Sequence, residues 1–362
     1  MLIREAYNMM QAFLYGYYPR FVTENTLGNR LPVFYFHEID RGLFQAQLEY
    51  LKTNGYNTLN IKGLLDLSKR GEAPSGKDVV LTFDDGYADL FHVAYPLLKS
   101  YGFKAVSFIA PYWIGKTGYI NWDKAREMHE AGIVDFQSHS YSHAMIPVSD
   151  KVKDFFHPAM LQTSPKEWPT LECGSGIPIQ KTPELGCPIY EHRSGLTDSL
   201  LFLGNTALEE LCIRHVKQFQ TGPEEFFHQK NWRRSLFKLA AEEKRRIGRA
   251  SKYESEQAQI QRFDFELSRS KEAIEDQLQG HVVTAFAFPR HAQGRIIYER
   301  LNRSGYQLIF GGLKPPIRIT SPSRSRFYRR VSGDFLFRLP GKRRRTLVRI
   351  FLDKYKARRT MI

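Results

Sequence analysis

Residues 79–87 read Val-Val-Leu-Thr-Phe-Asp-Asp-Gly-Tyr, and Ser138-His139-Ser140-Tyr141-Ser142-His143 follows about fifty residues later. The first segment is a continuous apolar run that stops at two adjacent acids, Asp84 and Asp85. The second places two imidazoles four positions apart, just after another apolar run. Asp-Asp-Gly after a strand, taken alone, reads as a turn or a helix N-cap. The histidine pair turns that reading toward a metal centre, because residues at i and i+4 share a face in a helical or turn-like segment. Two imidazoles and one carboxylate are borderline ligands that suit zinc first, with cobalt, nickel or iron also served. The second carboxylate is then left beside the ion, where it can take a proton from a metal-activated water.

Both elements must be delivered by strands. Pro32-Val-Phe-Tyr-Phe36 is an apolar run, and Leu43, Phe44, Leu48 and Leu51 follow at helical spacing, with Gly55 as the stop. Thr58–Ile61 reads as a short strand, Gly63–Arg70 as a short helix, and Asp78–Phe83 as the strand that carries the acids. Leu90–Tyr101 reads as a helix, Ala105–Ala110 as a strand, Trp122–Ala131 as a helix and Ile133–Gln137 as the strand before the histidines. Strands alternating with helices at this pace, the strands apolar throughout, predict parallel βαβ units covered on both faces. Acids and histidines therefore lie at carboxyl ends of parallel strands, where α/β barrels and open sheets build their sites.

The rhythm breaks after Ile146. Residues 147–258 form an insertion too long for a structureless loop, so it is expected to hold helices of its own. The βα pattern resumes with Ile260, Phe263, Leu267, Ile274 and Leu278 on one helical face. A strand at Val282–Phe288, a helix at Ile296–Arg303 and a strand at Gln307–Phe310 follow. The predicted organisation is an N-terminal helix and connector (1–30), a barrel in two parts (31–146 and 259–335), the insertion, and a basic amphipathic tail (336–362).

The 362 residues carry a formal charge of +15, and from Lys314 onward there are 16 Lys/Arg against 2 acids, so the C-terminal stretch holds nearly all of it. Gly341-Lys-Arg-Arg-Arg345 precedes Leu347, Ile350, Phe351 and Tyr355 at helical spacing. Such a helix can lie on an anionic membrane surface or dock on the barrel. Nucleic-acid binding is not expected, since no zinc-finger spacing or RNA-binding aromatic signature accompanies the charge. Cys173, Cys187 and Cys212 are odd in number and fit neither a disulfide framework nor a common zinc motif. Met1–Arg20 has Glu5 and no apolar stretch of signal length, and no window approaches the roughly 18–20 apolar residues of a spanning helix. The expectation is a cytoplasmic protein, at most peripheral on the inner face of the membrane.

Thr82-Phe83-Asp84-Asp85-Gly86-Tyr87 resembles the first motif of the polysaccharide deacetylases (carbohydrate esterase family 4), and Ser138–His143 resembles their second. The resemblance runs from about Leu31 to Ile146 and again from Ser268 to Gly312, and is nearest to the poly-N-acetylglucosamine deacetylase branch. It leaves the insertion and the tail uncovered. It implies a distorted (β/α)7 TIM-like barrel and hydrolytic N-deacetylation of an acetamido sugar, polymeric or lipid-linked, in exopolysaccharide biosynthesis. It implies Asp85, His139 and His143 as metal ligands and Asp84 as general base. His37, at the end of the first strand, is the expected general acid, with His291 as its rival. The oxyanion is expected to meet a backbone N–H near Tyr87 or Ala144.

The chain departs from the family at Phe286-Ala287-Phe288-Pro289-Arg290-His291, where relatives carry an aromatic-Pro-aromatic-Gly stretch. Arg290 is expected either to orient Asp84 or to bind an anionic group on the substrate. Tyr87, Pro289 and His291 are expected to contact substrate. Two other readings use the same residues. A non-haem metal oxygenase would also use two histidines and one carboxylate but has no need of Asp84. A non-catalytic carbohydrate- or membrane-binding relative would have no need of an intact ligand set.

Overall fold

The computed structural model describes residues 11–28, 31–162, 172–174, 177–179, 182–248, 252–314 and 326–360. Residues 1–10 of the expected N-terminal helix, Ser321–Ser325 of the basic run and the Tyr355 side chain lie outside what is described. Chain contacts divide the protein into two compact units. One is Met1–Tyr141, Leu267–His291 and Leu301–Ile362; the other is Ser142–Glu266 and Ala292–Arg300.

The first unit is a parallel β-barrel ringed by helices. Its strands, in hydrogen-bonded order, are Arg326–Arg329, Leu308–Gly311, Ala285–Ala287, Val134–Ser138, Ala105–Ile109, Asp78–Asp85, Val33–Phe36 and Val331–Ser332. Every neighbouring pair is parallel. The first and last of these strands are separated in sequence by Arg330 alone. One bent stretch thus pairs with Leu308–Gly311 on one side and with Val33–Phe36 on the other. It closes the ladder, and if its two halves are counted together the barrel has seven staves. The expected distorted (β/α) barrel is the fold observed.

The interior is built by alternation. Val33, Val80, Val106, Phe108, Ala285, Ala287, Leu308 and Phe310 form one buried cluster. Side chains two apart on a strand share a face. Val80 therefore sets the face of Thr82 and Asp84, and the strand Asp78–Asp85 is buried along its whole length. The strand runs two residues beyond the expected Phe83, so both acids belong to it. The helix Arg41–Thr53 is capped by Asp40, whose carboxylate accepts from Leu43 N–H, and it buries Phe44, Leu48 and Leu51.

The tail is folded onto the same unit. Arg338 Nε donates to the Val22 carbonyl at 2.8 Å, and Arg344 Nη2 donates to the carbonyls of Phe21 and Glu24. The helix Leu347–Thr360 buries Ile350 and sets Phe351 edge-on to Phe335. Part of the basic charge thus serves to tie the two ends of the chain together.

The second unit pairs Met145–Phe155 with Pro188–Ser194 as an antiparallel ribbon. The helices Thr206–Lys217 and Trp232–Ile247 pack around Phe155, Tyr190, Leu208, Cys212 and Leu236. Helices were expected in this region; the long strand was not, because Pro147 and the charges from Asp150 to Asp154 mask its period. The helix Glu256–Gln277 is continuous, with its first eleven residues in the second unit and the rest in the first.

Candidate functional site

Asp84 and Asp85 end their strand in a turn that only glycine can complete. Gly86 has φ +80°, and a Cβ there would lie 2.9 Å from Ile114 Cδ1 and 3.0 Å from Ile109 Cγ2. Asp85 itself takes φ +75°, as Ser140 (+65°) and His143 (+56°) do in the second motif. Left-handed backbone at three non-glycine positions is strain that tertiary contacts must hold, and it concentrates at functional sites.

Asp85, His139 and His143 come together. One ligand atom from each lies within 4.8 Å of the others, and all three residues are buried. The orientation of His139 fits the role of ligand. Its Nδ1 is 2.8 Å from the Ala287 carbonyl, which accepts from the protonated nitrogen and turns Nε2 toward the acids. Nε2 lies 3.7 Å from Asp85 Oδ1 and 3.8 Å from Asp84 Oδ2. A backbone carbonyl that fixes the tautomer and the ring plane is the usual support of a metal-binding imidazole. The donor set therefore fits a divalent ion.

Asp84 is held by a residue that the sequence reading did not single out. Arg330 is fully buried where the closing strand bends, and its Nη1 lies 2.5 Å from Asp84 Oδ1 and 3.3 Å from Thr82 Oγ1. Burial pushes the Asp84 carboxyl up, but Arg330, His139 and His37 outweigh it, and the group is held well below the ordinary carboxylate range. Arg290, expected to orient Asp84 or to bind a substrate anion, is exposed on a turn at φ +54° and lines the same cleft as His37 and His291. The signal that could have found Arg330 was faint: it ends a basic run beside Arg329, and only its strand-type neighbours Phe327, Tyr328 and Val331 set it apart.

His37 and His291 stand on either side of Tyr35, with ring centroids 5.6 Å and 4.7 Å from it. His37 is 47% exposed, and its Nε2 is 3.8 Å from Asp84 Oδ2. The loop that carries it is pinned by Asp89, whose Oδ2 accepts from Ile39 N–H at 2.6 Å. His291 is more enclosed. Burial, then the neighbouring Arg330 charge, drives its imidazole down to about 3, so it is neutral near pH 7. A cleft of about 720 Å³ opens here, lined among others by Tyr35, His37, Glu38, Asp40, His291 and Lys354. Pro289 is buried beneath the turn that carries Arg290. Tyr87 stacks on Tyr119 at 5.1 Å, and Tyr119 on Trp113 at 5.4 Å. Of the two backbone groups considered for an oxyanion, Ala144 N–H already donates to Ser142 Oγ at 3.1 Å.

Residues 71–162 match the family model of polysaccharide deacetylases. Over 122 residues the chain is 36% identical to "Putative polysaccharide deacetylase YxkH" of Bacillus subtilis (strain 168), covering 32% of this chain and 43% of that protein. Over 122 residues it is 27% identical to the poly-beta-1,6-N-acetyl-D-glucosamine N-deacetylase of Staphylococcus aureus (strain N315), covering 32% and 42%. The match thus spans less than half the length of these relatives. Among solved structures, a de-N-acetylase from Aggregatibacter actinomycetemcomitans aligns over 84% of this chain and 95% of its own, with a TM-score of 0.51 and 18% identity. The BpsB deacetylase domain from Bordetella bronchiseptica aligns over 84% and 97%, with a TM-score of 0.50 and 15% identity. These two likenesses concern the fold. The segment that matches the family model contains both motifs, and over it this chain is similar to the polysaccharide deacetylases.

Proposed function

We propose that the protein is a metal-dependent amide hydrolase that removes the acetyl group from an acetamido sugar. The observation that carries this reading is the division of labour between adjacent acids. Asp85 stands with His139 and His143, while Asp84 is turned to Arg330 and stays ionised. A bound divalent ion would supply Lewis acidity and a water of lowered pKa. Asp84 accepts the proton of the attacking water, and Arg330 keeps that carboxylate charged and aimed. His37 delivers a proton to the leaving amine nitrogen. It faces the cleft and solvent, so it can be reloaded after each turnover, whereas His291, held neutral, serves to shape the cleft beside Tyr35. Among candidate metals zinc suits the ligand types best, and cobalt, nickel or iron would also be held.

The cleft combines aromatic faces with carboxylates and a lysine, a lining that suits a sugar's apolar ring faces and hydroxyls. One of the relatives is named for poly-beta-1,6-N-acetyl-D-glucosamine, which supports a saccharide of N-acetylglucosamine as substrate, polymeric or lipid-linked. Among the described residues no helix is long and apolar enough to cross a membrane. The C-terminal helix leaves Val348 68% and Leu352 51% exposed beside Arg349, which supports peripheral contact with an anionic membrane surface.

The test is acetate release from N-acetylglucosamine oligosaccharides and lipid-linked acetamido sugars. It is run on the metal-stripped protein and again after reconstitution with zinc, cobalt, nickel or iron. Acetate formed at equal rates with and without metal would sink the reading.

A further inference from the structure

The two histidines of the candidate metal site sit on a short, strained loop. Each is preceded by a serine, Ser138 before His139 and Ser142 before His143. Both serines are buried, and both are held by the helix Glu256–Gln277. Within the second unit, Glu266 Oε2 accepts from Ser142 N–H at 2.9 Å, and Glu266 Oε1 accepts from the Ser142 hydroxyl. The same hydroxyl then accepts from Ala144 N–H at 3.1 Å, so a chain of bonds encloses His143 on both sides. Within the first unit, Ser270 Oγ lies 2.8 Å from Ser138 Oγ.

The spacings match. Glu266 and Ser270 are four apart and so lie on one helix face. Ser142 and Ser138 are also four apart, in the reverse chain direction. Glu266 is only 3% exposed and Ser270 is fully buried. A buried carboxylate is costly unless its oxygens are satisfied, and here each oxygen takes a donor from the same residue. His143 (φ +56°) and Ser140 (φ +65°) sit in left-handed backbone that such bonds must hold in place.

We infer that Glu266 and Ser270 form a two-point brace that presets the ligand loop for the metal, with Glu266 as the main positioning residue for His143. The inference rests on the metal-site reading above. Supports around metal ligands typically contribute 10–100-fold to metal affinity. Glutamine at 266 offers one oxygen and one NH2 group, so it can accept from only one of the two Ser142 donors.

The experiment is competition of full-length apo protein with a chromophoric chelator for Zn²⁺, together with the visible spectrum of the Co²⁺-loaded protein. Glu266→Gln is expected to lose about tenfold or more in Zn²⁺ affinity and to alter the Co²⁺ bands. Ser270→Ala is expected to lose less. Asp264→Asn, on the same helix but paired with Arg300, is expected to leave both readouts unchanged, which separates a site effect from a general loosening of the helix. If Glu266→Gln does not fold, Ser142→Ala removes the same hydroxyl link from the loop side. Wild-type affinity and an unaltered Co²⁺ spectrum in a folded Glu266→Gln or Ser142→Ala protein would overturn the brace alone. A wild-type protein that binds no metal would overturn the metal-site reading and the brace with it.

Discussion

Arg330 Nη1 lies 2.5 Å from Asp84 Oδ1, both groups are buried, and the arginine is the single residue between the two half-strands that close the barrel. Closure of the barrel and the proposed catalysis therefore share one side chain. The bend that lets residues 326–332 pair with both neighbours also delivers the guanidinium to the proposed base. Removing one partner of a buried ion pair leaves an uncompensated charge and costs about 3–5 kcal/mol. Arg330→Met is expected to lose stability of that order. Asp84→Asn/Arg330→Met is expected to recover part of it, because neither charge is then stranded. Denaturant unfolding of the two single variants and the double variant checks this, and strict additivity would contradict the coupling.

The same pair sets a pH dependence. Asp84 must be ionised to accept a proton, so activity falls as pH drops through its pKa. Burial raises that pKa, but Arg330 and the histidines lower it further than burial raises it, and the acid limb should lie below the ordinary carboxylate range. In Arg330→Met burial acts with less opposition, and the limb should move to higher pH. A kcat/KM profile of wild type and variant reads the shift; an unmoved limb would mean that Asp84 is not the titrating base.

Asp84→Asn separates the proposed hydrolase from a metal oxygenase built on the same ligands. The variant keeps Asp85, His139 and His143, so zinc content should remain near one equivalent. Acetate release should fall by about 10²–10⁴-fold, the usual contribution of a general base. Metal analysis beside the acetate assay gives both numbers. Retained hydrolysis with retained metal would remove Asp84 from the mechanism.

His37 and His291 flank the same tyrosine but differ in solvent access, and they should fail differently. His37→Ala is expected to lower kcat by about 10²-fold or more, since the proton donor is gone. His291→Gln is expected to act mainly on KM through the cleft wall. Steady-state kinetics of the two variants decide the assignment, and a kcat loss of that size in His291→Gln with near wild-type kcat in His37→Ala would reverse it.

Much of the barrel was legible because its strands carry unbroken apolar runs and its helices end on glycines, both local signals. The candidate ligands were legible because adjacent acids and an i, i+4 histidine pair are unusual at the ends of such runs. Arg330 was not legible. Its partner is 246 residues away in sequence, and the surrounding arginines made it look like part of a solvated tail. The ribbon strand Met145–Phe155 was hidden because Asp150, Lys151 and Lys153 face solvent and Asp154 pairs with Arg233, on a strand paired on one side alone. Glu266 was hidden for a further reason. A glutamate on an amphipathic helix normally marks the exposed face, and only the fold shows that this one points at the Ser142 backbone.

His291 gives a stability prediction with a definite sign. Its imidazole is pushed down to about 3 in the folded protein by burial and by Arg330, against an ordinary value of 6.5. Between those values the unfolded chain holds a proton at this position and the folded chain does not. Stability must therefore fall as pH falls through that window, by up to about 1.4 kcal/mol per pH unit for one proton. The depressed Asp84 acts in the same direction but only below its ordinary value of 3.8, while Asp89, raised by burial, acts in the opposite direction above that value. Other histidines add to the wild-type slope, and the difference between wild type and His291→Gln isolates this one. Urea midpoints at pH 7.5, 6.0 and 4.5 should decline less steeply in the variant. Parallel declines would mean that His291 protonates as readily in the folded protein as in the unfolded chain, and the neutral role assigned to it beside Tyr35 would fall.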